Sequence, residues 1–75
     1  MAEVILDCMH ETCPIPLLKA LKALEKLEVG DLITIQTDHS CTIKNVVEWA
    51  KKKGHFVDYL RVGDGEWEIY IEKGE

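Results

Sequence analysis

The chain has no apolar run approaching the roughly 20 residues that a membrane-spanning helix requires. Its opening, Met1-Ala2-Glu3, lacks the basic start and apolar core of a secretory signal. Cations are scarce: nine Lys and Arg stand against fourteen Asp and Glu, a net charge of −5. A nucleic-acid binder usually leans the other way, so direct nucleic-acid contact is not expected. Cysteine is sparse and odd in number, three in all, which argues against a disulfide framework. Two prolines and five glycines exclude collagen-like or linker-like sequence. These absences predict a soluble, cytoplasmic protein with reduced thiols that does not itself span a membrane. With 75 residues, 47% apolar and 31% charged, the chain reads as one globular domain over residues 1–75. A chain this short buries only about 60–65% of its unfolded surface, so each core residue counts.

The hydrophobic pattern is regular from Glu3 onward. Glu3-Val4-Ile5-Leu6-Asp7 reads as a buried strand, and Cys8 to Thr12 as a polar loop. Cys13-Pro14-Ile15-Pro16 opens a helical pattern, since proline is tolerated where the first-turn N–H groups have no partner. Leu17, Ala20, Leu21, Leu24 and Leu27 recur at helical spacing, with Lys19, Lys22 and Lys26 opposite. This helix is expected to end near Glu28, before Gly30. Asp31 to Thr37 alternates as a half-buried strand. A second helix carries Ile43, Val46, Val47 and Ala50, with Ser40 or Asp38 as its N-cap. Lys51, Lys52 and Lys53 complement its negative end, and Gly54 stops it. Phe56 to Val62 and Glu66 to Lys73 form a hairpin about Gly63-Asp64-Gly65.

The order β-α-β-α-β-β predicts an α/β fold: a two-layer sandwich, a four-stranded mixed sheet with both helices on one face. If the first two strands are parallel, both helices begin at one sheet edge. That edge then collects Cys8, His10, Cys13, Asp38, His39 and Cys41.

Cys13 leads the candidates for chemistry. At a helix N-terminus the backbone N–H groups and the positive dipole end favour a thiolate, the form that attacks sulfur and carbon electrophiles. A persulfide on the same sulfur, also anionic, gains from the same donors. The bland alternative is a small buried apolar residue, common for free cysteine. Pro14 supplies no N–H, so the donors lie further into the first turn. Cys8 and Cys41 read either as packing residues or as resolving thiols that release hydrosulfide from a Cys13 persulfide. His10, His39 and Asp38 read as loop residues that tune access or proton transfer. Cys8-x-His10-x-x-Cys13 with His39-x-Cys41 offers soft ligands, yet the spacing matches no usual zinc module. Neither a metal nor another cofactor is called for. His55, just past Gly54, reads as a cation favoured by the helix dipole.

Leu6-Asp7, followed by Cys13-Pro14-Ile15-Pro16-Leu17-Leu18-Lys19-Ala20, resembles the Cys-Pro-x-Pro signature of the TusA/SirA-type sulfur carriers. Gly30-Asp31, Asp38, Trp49 and Gly54-His55 fit the later pattern of that family, so the resemblance runs from about residue 4 to 73. Asp58-Tyr59, Gly63-Asp64 and Trp67 look more like its YeeD branch. The resemblance implies the two-layer sandwich. It implies that Cys13 carries sulfane sulfur as a persulfide, with Pro14 and Pro16 framing it. It further implies a sulfur-donor protein, a desulfurase or a rhodanese, and a sulfur-acceptor protein. For the YeeD branch it implies thiosulfate and a YeeE-type membrane transporter. The sequence departs from the family in places. Leu21 stands where a lysine is common, Ser40 and Val47 where many members have proline, and Cys8 and Cys41 lie outside the general motif. Three functions are therefore weighed: a sulfurtransferase that carries sulfur on Cys13, a YeeD-like partner of a thiosulfate transporter, and a non-catalytic interaction or regulatory module with a structural Cys13.

Overall fold

A computed structural model describes residues 3–12 and 15–74. Cys13 and Pro14, and the readings that rest on their placement, lie outside the described residues. The elements are β1 (Glu3–Cys8), α1 (Ile15–Glu25), β2 (Leu32–Thr37), α2 (Ser40–Lys52), β3 (Phe56–Gly63) and β4 (Glu66–Glu72). The sheet order is β1-β2-β4-β3. β1 pairs parallel with β2, and β4 pairs antiparallel with both β2 and β3. The mixed four-stranded sheet with its two crossover helices is the architecture the element order predicts.

The core lies between sheet and helices. Alternation along β2 and β4 drives Ile33, Ile35, Ile69 and Ile71 to full burial. Ala20, Leu24 and Leu27 meet them from the first helical segment and Val46 from α2, while Leu17, Ile43 and Trp49 pack at the margin. Both helical stripes thus fall where their spacing puts them.

Helix ends depend more on distant partners. α1 stops at Glu25 rather than near Glu28. Beyond it, the Lys26 and Leu27 amides turn to the carbonyls three residues back, those of Ala23 and Leu24. The Asp31 carboxylate accepts the Glu28 N–H at 2.9 Å. Lys73 Nζ, arriving from the end of β4, donates to the carbonyls of Leu24 at 2.7 Å and Leu27 at 2.5 Å. A side chain 49 residues away therefore helps to set the boundary.

α2 ends at a local signal. Gly54 adopts φ 82°, His55 N–H donates to Ala50 O at 2.9 Å, and Gly54 N–H donates to Lys51 O at 3.2 Å. These two bonds are the paired closures of a Schellman cap. His55 itself differs from the expected dipole-stabilised cation. Its Nδ1 accepts the Gly74 N–H at 3.0 Å, and its ring packs against Trp49 with centroids 5.4 Å apart. Burial, with Lys73 adding to it, pushes the imidazole below its ordinary pKa, so the neutral acceptor form is favoured.

The β3–β4 hairpin turns at Asp64-Gly65, where Gly65 takes φ 71°, and a register shift falls between Arg61 and Gly63. Arg61 holds the turn, donating to Gly63 O at 3.2 Å and to Asp64 Oδ1 at 3.1 Å.

Candidate functional site

The β1–β2 pairing is parallel, so the loops leaving both strands lie at the same end of the sheet. The first loop turns at once. Asp7 Oδ1 accepts the Met9 N–H at 3.1 Å, and the Glu11 N–H closes onto Cys8 O at 3.2 Å. His10 sits at the third position of that turn with φ 67°, the one non-glycine residue in the left-handed region among the described residues. Glycine usually fills such a place, and histidine is among the few other residues that visit it.

The second loop supplies what holds this conformation. Asp38, following β2, accepts the His10 backbone N–H on Oδ1 at 3.0 Å. The His10 ring approaches the other oxygen, Nδ1 to Oδ2, at 3.3 Å. His39 Nδ1 lies 2.7 Å from Asp38 Oδ1. The His10 N–H above all, then the His39 side chain, hold the Asp38 carboxyl below its ordinary range against partial burial. Asp38 is thus a bridge between two loops 28 residues apart.

This corrects the expected cap. Neither Ser40 nor Asp38 is the N-cap of α2: His39 occupies it in extended backbone, φ −119° and ψ 122°, without a side-chain cap bond. The Asp38 carboxylate is turned back to His10, and Thr37 Oγ1 accepts the His39 N–H at 3.2 Å. Asp7, Glu11 and Thr37 also help to build the site; the sequence marked Asp7 only within the family resemblance and did not single out the other two. Asp7 two residues before Met9 carried a local turn signal. Glu11, which pairs with Lys19 and so ties the loop to α1, carried none.

The predicted site residues sort into three groups. His10, Asp38 and His39 come together as described. Cys8 lies at the same edge but faces inward, fully buried in the core cluster. Burial first, then Glu11, pushes its thiol up, so the protonated form prevails and the residue packs as a small hydrophobe. Cys41 lies exposed in the first turn of α2. Pro16 is buried in the first turn of α1, and Ile15 N–H donates to Thr12 O at 3.0 Å where the loop enters the helix. Cys13 and Pro14 fall outside the described residues. Among the described residues no three His, Cys, Asp or Glu side chains converge as a metal site, and no helix is long and apolar enough to cross a membrane.

Comparison with known proteins places this arrangement. The family model described as Sulfurtransferase TusA matches residues 4–73. A protein of Escherichia coli (strain K12) named "Putative sulfur carrier protein TsuB" is 35% identical over 69 residues, covering 91% of this chain and 92% of its own. A Thermotoga maritima protein described in the same words, without the final symbol, is 34% identical over 68 residues, covering 89% and 86%. The crystal structure of a SirA-like protein from Desulfitobacterium hafniense superposes with a TM-score of 0.88 at 33% identity, over 96% of this chain and 99% of that one. The sandwich, the matched span and these relatives agree, and the chain belongs to the TusA family.

Proposed function

We propose that this protein is a sulfur carrier that holds sulfane sulfur as a persulfide on Cys13 and relays it to an acceptor. The observation that supports the reading is where Cys13 falls in the chain. It lies five residues past the end of β1 and two before the start of α1, in the loop that Asp38 anchors through His10. The N-terminus of an eleven-residue helix favours an anionic sulfur nearby.

The chemistry balances without an added oxidant. The Cys13 thiolate attacks the outer sulfur of a donor persulfide, the donor S–S bond breaks, and the donor leaves as its own thiolate. Cys13 is left as a persulfide, whose terminal sulfur an acceptor nucleophile then removes, restoring the thiolate. With thiosulfate as donor, the same attack on its outer sulfur expels sulfite and leaves the persulfide anion. The protein donor would be a desulfurase or a rhodanese. Thiosulfate would instead fit a YeeD-like role beside a YeeE-type transporter. Pro16 stiffens the first turn of α1, the Pro14 of the motif belongs to the same reading by its place in the sequence, and Asp38, His10 and His39 are assigned to access and proton movement.

The test is intact mass under non-reducing conditions, before and after exposure to thiosulfate or to a desulfurase with cysteine, for wild type and Cys13→Ser. The expected result is a gain of whole sulfur atoms on wild type alone. The donor that produces the gain separates the two sulfur readings. Sulfur loading retained by Cys13→Ser would overturn the assignment. Loading of wild type by neither donor, with partner binding intact in both proteins, would favour the non-catalytic module.

A further inference from the structure

The face of the sheet turned away from the helices has an unusual charge. Burial of Ile33, Ile35, Ile69 and Ile71 fixes which residues point to the core, and the strand registers fix which share the other side. Three rows cross that open side: Glu3–Leu32–Glu72–Phe56, Ile5–Thr34–Tyr70–Asp58, and Asp7–Gln36–Glu68–Leu60. Glu66 extends β4 on the same side. Among the described residues the face therefore carries six carboxylates and no Lys, Arg or His.

The cations of the chain are all accounted for elsewhere. Lys19 and Lys22 lie on α1, Lys26 just beyond it, and Lys44, Lys51 and Lys52 on α2 with Lys53 as its cap. Lys73 is turned to the carbonyls of Leu24 and Leu27, and Arg61 to the hairpin turn. The molecule is electrically two-sided, basic across its helices and acidic across its sheet. Among the carboxylates lie apolar side chains that a free sheet face would not need: Ile5, Phe56, Leu60 and Val62 are 62%, 69%, 56% and 50% exposed. At the end nearest the functional loops, Met9, Gln36, Val62, Trp67, Glu66 and Glu68 line a depression of about 180 Å³.

We propose that this open face docks a cationic, partly apolar surface of a partner protein. Charge complementarity selects the occupant. A second copy meeting this face with its own would set six carboxylates against six, which like-charge repulsion opposes. A second copy meeting it with its helices would be a head-to-tail contact that need not close. Nucleic acid and anionic lipid carry the wrong sign. The size sets the character of the complex. Four strands about 4.8 Å apart and six residues long at about 3.3 Å each span about 400 Å². A stable interface takes about 800 Å² a side, so this one is a transient, electrostatically steered encounter.

The probe is a synthetic amphipathic helix of lysine and leucine, titrated into isotope-labelled protein, with its glutamate–leucine counterpart as control. The expected result is amide shift changes concentrated on Ile5, Thr34, Leu60 and Tyr70. Binding should weaken at least about fivefold when salt rises from about 50 to about 300 mM, or when Glu3→Lys and Glu72→Lys are combined. Glu3→Lys alone, at an exposed position, carries the same test if the double variant does not fold. Equal binding in Cys13→Ser is expected, so failure here and failure of the carrier reading are distinguishable. Shifts mapping to α1 and α2, equal binding of the anionic control, or self-association of the protein alone at low salt would each overturn the proposal.

Discussion

Thr42 offers a quantitative test of how the site edge is packed. It lies in the first turn of α2, fully buried, and its Oγ1 has no hydrogen-bond partner among the described residues. A buried hydroxyl stripped of water and left unpaired costs about 1–3 kcal/mol. Valine has nearly the same shape and the same branched Cβ, so Thr42→Val leaves the backbone bond from Thr42 N–H to His39 O in place. It replaces the unpaired hydroxyl by a methyl group of similar size at the same buried position. The expected gain is about 1 kcal/mol or more. For a domain of this size that raises the melting temperature by about 4–8 °C per kcal/mol. Chemical denaturation of wild type and variant, with a shared m-value, reads the difference directly. A variant of equal or lower stability would show that the hydroxyl is satisfied in solution and would refute the reasoning. Sulfur loading on Cys13 should be unchanged.

Other outcomes follow from the same geometry. Cys8, fully buried with its thiol pushed up, should alkylate far more slowly than exposed Cys41 at neutral pH; peptide mapping after a timed pulse checks this, and equal labelling would contradict the burial. The Asp38 carboxyl is held low in the folded protein, so it contributes stability above the unfolded carboxylate range that is lost as pH falls through its folded value. Asp38→Asn should flatten that acid limb of a stability–pH curve and loosen the His10 amide in hydrogen exchange. His55 is likewise depressed, from its ordinary 6.5, so its contribution is present above that pH and is lost on acidification through the folded value. Replacing it by leucine should remove the corresponding slope in denaturation midpoints measured between about pH 7.5 and pH 5.

Local patterns made much of the fold legible. The apolar stripes of both helices, the period-two strands and the Gly54 stop were all readable because each depends on residues within a few positions. The grouping of His10, Asp38 and His39 at one edge followed from parallel strands alone. The Cys-Pro-x-Pro stretch that leads the family resemblance, residues 13–20, is also contiguous in sequence.

What the sequence did not disclose lies in contacts between distant segments. Asp38 has the chemistry of an N-cap, and its local neighbours point to that role. A backbone N–H 28 residues away, held in a left-handed turn, claims the carboxylate instead. α1 has apolar spacing enough to run to Leu27, but Asp31 and Lys73 take up the amide and carbonyl groups at its end. His55 sits where a dipole would welcome a cation, yet packing against Trp49 and the Gly74 amide favour its neutral form. The two-sided charge of the molecule likewise emerges only when strand register gathers carboxylates from β1, β3 and β4 onto one face. Sequence by itself determined which segments form helices and strands, because that choice rests on local periodicity. Tertiary structure decided which polar group each loop residue meets, because those partners are brought together only by folding.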